Sequence, residues 1–123
     1  MYRMKNHNPY TAGIPDCWYS GNAGDLWVEY KFMTIPKRSS TIVDFCGGKV
    51  PMISALQQKW LRDRYNEGRT VGVIIGTPEG GVWLSGISWE VPLQASERFS
   101  TILDKSCIAA VITDIVYRPP NAD

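Results

Sequence analysis

The stretch GIPDCWYSGNAGDLWVEYKF, residues 13–32, decides the fold of this chain. Two segments rich in aromatic and β-branched residues flank the turn sequence GNAG, residues 21–24, and this pattern predicts a β-hairpin. Three charged side chains interrupt the two strands: Asp16 on the first, and Glu29 and Lys31 on the second. Charged residues are unusual in strands that face a hydrophobic core, so these positions are the first candidates for a functional site.

The register of the hairpin brings the two carboxylates together. If residues 21–24 form a four-residue loop, Asp16 lies directly opposite Glu29. Lys31 shares their face of the sheet, because side chains two residues apart on a strand point the same way. Like charges directly opposite each other destabilise a sheet. Near a hydrophobic surface such a pair is expected to share a proton or to bind a cation.

A divalent metal ion fits a carboxylate pair of this kind. Mg²⁺ prefers one or two carboxylates together with waters and substrate phosphate oxygens. A nearby lysine can then neutralise charge that develops on a phosphoryl group, or orient a nucleophilic water. The residues alone leave a second interpretation open, in which Asp16 is a turn residue after Pro15 and Glu29 pairs with Lys31 in solvent.

The segment that follows the hairpin predicts a crossover. SALQQKWLRDRYNEG, residues 54–68, has the pattern of a helix, in which Ser54 is the N-cap and Gln57 completes a capping box. TVGVIIGT, residues 70–77, is typical of a strand buried on both faces, and GGVWLSG, residues 80–86, of a short strand. A helix between two strands implies a parallel pair, so the predicted fold is α/β, a mixed β-sheet with flanking helices. The apolar stripe of the helix consists of Leu56, Trp60, Leu61 and Tyr65.

Outside this core the sequence is less regular. Residues 34–52 form a long basic loop, in which TIVDF, residues 41–45, could add a short strand. Residues 93–104 and 106–117 both have helix-like apolar spacing, although the second segment is also compatible with a strand. Residues 1–12 are polar, and we expect them to form a short ordered arm or a coil.

Size and composition indicate one soluble globular domain over residues 1–123. Hydrophobic residues make up 44% and charged residues 20% of the chain, which argues against disorder. The net charge of +1 gives no global attraction for nucleic acid, so a nucleic-acid binder would have to concentrate its basic residues locally. The cysteines are odd in number and fit no metal motif, which indicates a reducing compartment. No apolar run reaches the roughly 18 residues of a membrane span, so we expect a cytoplasmic protein.

The motifs of the hairpin and the helix together resemble a known nuclease family. GIPD, VEYK and SALQQKWL are similar to the PD-(D/E)XK nuclease superfamily, and in particular to the small phage-encoded proteins of its VRR-NUC branch. The resemblance covers about residues 11–84 and implies a restriction-endonuclease-like core. The C-terminal helical extension, about residues 93–117, has no counterpart that we can assign. Family members often carry a further acidic residue before the PD element, whereas residues 1–12 contain no Asp or Glu, which leaves the number of bound metal ions open.

The resemblance also implies roles for individual residues. Asp16 and Glu29 correspond to the acids that bind Mg²⁺ or Mn²⁺, and the backbone carbonyl of Tyr30 would be a further metal ligand. Lys31 corresponds to the lysine that activates or positions the attacking water, and Gln57 to a glutamine that supports the site. Because Gln57 is also at position N3 of the predicted capping box, we expect its side chain to serve only one of the two roles.

The basic residues near this site are candidates for contacts with DNA phosphates. If DNA runs past the metal site, a basic loop that leaves the catalytic strand is well placed to contact its backbone. The helix offers further cations, although all of these residues are equally compatible with a solvated surface. The predicted DNA-binding residues are Lys37, Arg38, Lys49, Lys59 and Arg62.

The leading hypothesis is therefore a Mg²⁺-dependent DNA endonuclease. The resemblance to stand-alone VRR-NUC proteins suggests a homodimer that acts on branched DNA such as Holliday junctions, since one small domain carries one site and a symmetric cut needs two. Two alternatives belong to other classes of protein. One is a non-catalytic nucleic-acid-binding module on the same scaffold, and the other is a structural or partner-binding phage protein without DNA affinity.

Overall fold

The computed structural model describes residues 2–5 and 13–119, which form a five-stranded mixed sheet, a two-stranded ribbon and three α-helices. In spatial order, the strands of the sheet are β1 (Tyr2–Lys5), β2 (Cys17–Gly21), β3 (Gly24–Phe32), β5 (Val71–Thr77) and β6 (Gly80–Ser85). The ribbon pairs β4 (Ile42–Val43) with β7 (Leu93–Gln94). The helices are α1 (Ala55–Asn66), α2 (Ala95–Arg98) and α3 (Lys105–Val116). This architecture is the mixed sheet with flanking helices that the sequence predicts.

The hairpin of β2 and β3 has the register that the turn sequence predicts. Its ladder runs outward from the GNAG turn and ends with Cys17 opposite Val28. Asp16 is the residue immediately before this last pair, so it continues the register toward Glu29. The Asp16 carboxylate, just before β2, therefore lies next to Glu29 on the neighbouring strand, toward the same face of the sheet.

The crossover through α1 is also as predicted, because β3 and β5 are parallel neighbours. The helix begins with a complete capping box, in which the Ser54 side chain accepts from the Gln57 backbone N–H and the Gln57 side chain accepts from the Ser54 backbone N–H. Gly68 follows the helix with a φ of 85°, a conformation that glycine adopts without strain. β6 returns antiparallel to β5 and completes the sheet.

Alternation along β3 divides the core into two layers. Trp27 and Met33 pack against the layer on the side of α1, which we call the α1 face, and Glu29 and Lys31 share their parity. The even-numbered residues point to the other side, which we call the α3 face. Buried residues of the α1 face include Leu61, Val71, Val73, Ile75, Leu84 and Trp89. Those of the α3 face are Cys17, Tyr19, Leu26, Val28, Ile74, Ile112 and Val116.

The prediction of a helix over residues 93–104 is wrong for most of that segment. The chain forms β7, a single turn in α2, and an extended stretch in which Leu103 and Gly81 exchange two backbone hydrogen bonds of 2.8 Å. The backbone N–H of Ala95 bonds to the carbonyl of Thr41. Because these backbone groups find partners in other segments, a continuous helix does not form.

Three further segments agree with the sequence predictions. Residues 2–5 pair antiparallel with β2, which agrees with the ordered arm and not with the coil among the two predicted alternatives. Residues 6–12 lie outside the described residues. α3 confirms the helix predicted over residues 106–117, and β4 confirms a short strand within residues 41–45. None of the helices described is long and apolar enough to cross a membrane.

The buried stripe of α1 differs from the predicted one. Leu61 is fully buried, but Leu56 and Tyr65 are largely exposed. Gln58 is buried instead, and its Nε2 donates a 2.7 Å hydrogen bond to the carbonyl of Ile53, just before the helix. A polar side chain occupies this inward position because the loop supplies an acceptor for it.

Candidate active site

The candidate site lies where β3 extends beyond the end of β2. Pro15 is fully buried at the entrance to β2, and Asp16 follows it. The Asp16 Oδ2 atom accepts a 3.2 Å hydrogen bond from the backbone N–H of Tyr30. The carboxylate thereby satisfies a donor that the β2–β3 ladder, which ends at Cys17, does not reach. Asp16 is therefore fixed beside β3 by a backbone contact.

Glu29 is the buried acid of the pair, with 2% of its surface exposed. Its Oε1 accepts a 3.0 Å hydrogen bond from Gln57 Nε2 and lies 3.4 Å from Lys31 Nζ. Its Oε2 is also buried, and no donor within the described part of the chain reaches it. The interpretation in which Glu29 faces solvent is therefore wrong. A buried carboxylate oxygen without a donor is costly unless a proton or a cation binds to it.

These surroundings raise the pKa of Glu29 to about 7. Burial is the largest cause, followed by the negative charge of the neighbouring Asp16 carboxylate. The Lys31 ammonium lowers the pKa of Glu29, but by less than the other causes raise it. Near neutral pH Glu29 is therefore only partly ionised, and a cation bound to its carboxylate would displace the proton.

The oxygen donors around Glu29 fit a divalent cation. The N–H and C=O of one strand residue point to the same side, so the Tyr30 carbonyl faces the side on which Asp16 lies. Two carboxylates and one neutral oxygen are donors that Mg²⁺ or Mn²⁺ takes, with waters and phosphate oxygens as the remaining ligands. No group of three or more His, Cys, Asp or Glu side chains that could hold a metal ion occurs in residues 2–5 and 13–119. The donor-free Oε2 of Glu29 is the observation that favours a cation here.

Gln57 serves both of the roles that we expected to exclude each other. Its Oε1 accepts a 2.9 Å hydrogen bond from the backbone N–H of Ser54, and its Nε2 donates to Glu29. The expectation of a single role is wrong because a primary amide has an acceptor end and a donor end. One side chain thus starts the helix and orients the buried carboxylate.

The predicted DNA-binding residues fall into two groups. The three on the loop after β3 are exposed, whereas the two on α1 already have intramolecular partners. Lys59 Nζ lies 2.6 Å from an Asp63 carboxylate oxygen, and Arg62 forms an ion pair with Glu90. The loop group is Lys37, Arg38 and Lys49. The structure brings together the four predicted catalytic side chains, while contacts of either basic group with DNA stay predictions.

Three tryptophans, which the sequence places in the core, contact one another in an aromatic layer beside the carboxylates. Trp18 and Trp27 lie with ring centroids 6.0 Å apart, and Trp60 of α1 lies 5.3 Å from Trp27. The Arg64 guanidinium carbon lies 5.4 Å from the centroid of the Trp60 ring. The hairpin register contained the signal, because it opposes the first two tryptophans one step from the carboxylate pair on the same face. The layer ties both strands of the hairpin to α1 next to the site.

Comparisons with known proteins support the fold. No family model matches the sequence, and no curated protein sequence matches it. The solved structure of Hjc, a Holliday junction resolvase from the archaeal hyperthermophile Archaeoglobus fulgidus, is similar, with a TM-score of 0.54 over 90% of this chain and 86% of that chain. At 12% sequence identity the likeness shows the fold, and it confirms the predicted restriction-endonuclease-like α/β class. The finer resemblance, to VRR-NUC and phage proteins, stays a prediction.

Proposed function

We propose that this protein is a metal-dependent endodeoxyribonuclease that hydrolyses phosphodiester bonds in branched DNA such as Holliday junctions. The observation that carries the proposal is the environment of Glu29. Gln57 and Lys31 hold one of its carboxylate oxygens, and the other is buried beside Asp16 without a donor from the described residues. A carboxylate pair in this state has the charge and the vacant coordination for a cation shared with a phosphodiester.

Each residue of the site has a role in this proposal. Asp16 and Glu29, with the Tyr30 carbonyl, would hold Mg²⁺ or Mn²⁺, which when bound supplies positive charge at the scissile phosphate. Lys31 is 22% exposed, so its ammonium reaches the substrate, positions the attacking water and offsets charge on the phosphoryl oxygens. Gln57 restricts the Glu29 carboxylate to one orientation through its 3.0 Å hydrogen bond.

Two arguments support branched DNA and a homodimer. The chain shares its fold with a protein described as a Holliday junction resolvase. One chain carries one candidate site, and symmetric cuts in a four-way junction require two sites, which a twofold dimer provides. We therefore propose that two copies of the chain act on one junction.

The basic residues would then guide the DNA backbone to the site. The exposed Lys37, Arg38 and Lys49 lie on the segment that leaves the catalytic strand, where phosphate contacts position a substrate. Lys59 and Arg62 would extend this surface if DNA phosphates replaced their carboxylate partners. Contacts of this kind are independent of base sequence and weaken as salt increases.

A cleavage panel tests the proposal directly. The protein is incubated with duplex, single-stranded and four-way-junction DNA in Mg²⁺, Mn²⁺ or EDTA, and we expect the junction to be cut only when a metal is present. Lys31→Ala should lower the cleavage rate by roughly 100-fold or more, while the Kd for the junction in Ca²⁺ changes by only about two- to threefold. Arg69→Ala is the matched control, because it removes an exposed cation near the N-terminal end of β5 and should cleave like the wild type.

The same panel separates the alternatives. Salt-dependent junction binding without cleavage in any metal would overturn the proposal in favour of a non-catalytic nucleic-acid-binding module. Absence of a salt-dependent affinity for any DNA would favour a structural or partner-binding protein instead.

A further inference from the structure

A second concave region lies on the α3 face, behind the candidate active site. It is an open cavity of about 680 Å³ between α3 and the adjoining ends of β3, β5 and β6. This volume falls within the range of about 300 to 1,000 Å³ that is typical of small-molecule sites. The walls are largely apolar and include Ile74, Ile108 and Ile112, and none of the described residues that line the cavity is acidic.

Glycines leave part of the cavity floor without side chains. Phe32, Gly76 and Gly81 are register partners across three adjacent strands. A Cβ atom added to Gly76 would lie 3.4 Å from the Phe32 ring and 3.7 Å from the Lys31 carbonyl oxygen, with no other contact within 4 Å among the described residues. Gly76 does not have a positive φ, so the backbone does not require glycine at this position. What the glycine provides is open space beside an aromatic ring.

Phe32 connects this space to the chemistry on the other side of the strand. It follows Lys31 directly, and because side chains alternate along a strand, Lys31 reaches the α1 face while Phe32 points to the α3 face. The Phe32 side chain is 68% exposed, although it is large and apolar. Because β3 ends at Phe32, a DNA strand with one phosphate at Lys31 would pass around this strand end to bring the neighbouring nucleotide to the Phe32 ring.

Polar groups in the cavity suit a nucleotide. Lys105 lines it and can face a phosphate, whereas Lys31 borders it with its backbone, since its ammonium contacts Glu29 on the α1 face. The Tyr19 and Tyr30 hydroxyl groups contact each other at the cavity wall and can take part in hydrogen bonds with a base edge. Apolar walls with a few converging polar groups are typical of sites that bind a planar organic ring.

We propose that this cavity accepts one unstacked nucleobase of the DNA substrate, taken from the nucleotide adjacent to the scissile phosphate, with Phe32 as its stacking partner. This inference rests on the proposed nuclease function and defines its substrate class further. Removing a base from a stack costs free energy, and the cost is smallest where the base is already unpaired. The cavity would therefore favour DNA with a disrupted stack near the cut, as at a branch point.

Abasic substrates test the inference. Once the cleaved phosphate has been mapped, cleavage is compared on the intact junction and on junctions with a single abasic site at each flanking nucleotide. We expect one abasic position to lower the kcat/KM of the wild type by roughly tenfold, which is the scale of one stacking interaction. Phe32→Ala should cause a similar loss on the intact junction but no further loss on that abasic junction. Gly76→Val, which fills the floor of the cavity, should show the same pattern.

Matched variants distinguish stacking from loss of fold. Phe32→Tyr keeps a planar ring and should restore most of the kcat/KM that Phe32→Ala loses. Val91→Ala removes another exposed apolar side chain away from the cavity and should have no effect. Melting temperatures report whether each variant is folded. An equal loss for Phe32→Ala on intact and abasic junctions, or no loss on either, overturns the inference while the proposed function stands. Failure of the wild type to cleave any DNA overturns both.

Discussion

The two faces of β3 differ in how completely side chains fill them. On the α1 face, Glu29 is enclosed by Gln57 and Lys31, and one carboxylate oxygen is the group left without a described donor. On the α3 face, Phe32 stands exposed beside the bare backbone of Gly76. On the α1 face, contacts with neighbouring side chains hold the Glu29 carboxylate in one position. On the α3 face, the cavity leaves room for a ligand. If both proposals hold, one strand carries the reacting groups on one face and the substrate-selecting cavity on the other.

The largest expected effect on cleavage comes from removing the negative charge of Glu29 on the α1 face. Glu29→Gln should lower junction cleavage by roughly 10²- to 10³-fold or more, because the amide cannot replace a cation-binding carboxylate. The same variant should be more stable than the wild type at about pH 8 in EDTA, because it no longer buries a charge beside Asp16. Cleavage rates and chemical unfolding measure the two effects. Glu97→Gln, on the surface, is the control that should change neither.

Core truncations compare the packing of the two faces. Leu61→Ala on the α1 face should lower the free energy of unfolding by about 2 to 5 kcal/mol, because the side chain is fully enclosed. Ile112→Ala on the α3 face should cost about 1 kcal/mol less, because this side chain borders the open cavity and water can enter the space it leaves. Urea unfolding gives both values. Equal losses would show that the α3 face is as closed as the α1 face.

The pH dependence of stability should identify the buried acid. Folding raises the pKa of Glu29 from 4.5 to about 7, so between these pH values the native state binds more protons than the unfolded state. Without metal, this group should therefore lower the free energy of unfolding as pH rises, by up to about 3 kcal/mol, with the loss complete above about pH 7. Unfolding in EDTA from about pH 5 to about pH 8 should show the decline, and Glu29→Gln should remove it.

Adding metal should raise the free energy of unfolding, whereas raising the pH without metal should lower it. Mg²⁺ or Mn²⁺ at about pH 8 should restore stability to the wild type, because an ion that binds only the folded state stabilises it by mass action. The Glu29→Gln variant should gain little. A wild type whose stability is unaffected by either ion would contradict the assignment of the cation site.

The smallest effect should come from the helix cap alone. Ser54→Ala removes the side chain that accepts from the Gln57 backbone N–H, and it should cost about 1 kcal/mol of stability. Cleavage should stay near the wild-type rate, because Gln57 Nε2 can still donate to Glu29. Thermal unfolding and the junction assay measure the two outcomes. A large loss of cleavage would mean that the Gln57 side chain is held in place mainly by the helix cap and not by its hydrogen bond to Glu29.

The sequence predicted the elements whose signals are local. The hairpin register followed from the length of its turn and from alternation, and the capping box followed from the spacing of Ser54 and Gln57. The burial of Glu29 was not predictable in the same way, since it depends on α1 crossing the sheet and bringing Gln57 over the strand. Alternation gives the face on which a side chain lies, but the packing above that face decides its exposure.

Contacts between distant segments explain what the sequence did not predict. Residues 93–104 have helical apolar spacing, yet their backbone groups bond to the loop near Thr41 and to Gly81. The sequence did not predict a role for Phe32, because the open space beside its ring is created by Gly76 on another strand. Neither relationship leaves a periodic pattern that sequence spacing could reveal.

The double contact of Gln57 has a consequence for observing the site. Its amide joins the first turn of α1 to the Glu29 carboxylate, so a change in the charge or the ligands of that carboxylate alters how firmly the turn is held. The backbone amide protons at the start of α1 should therefore exchange with solvent more slowly when an ion occupies the site. Hydrogen exchange at the start of α1 would therefore report ion binding at Glu29 in the absence of DNA.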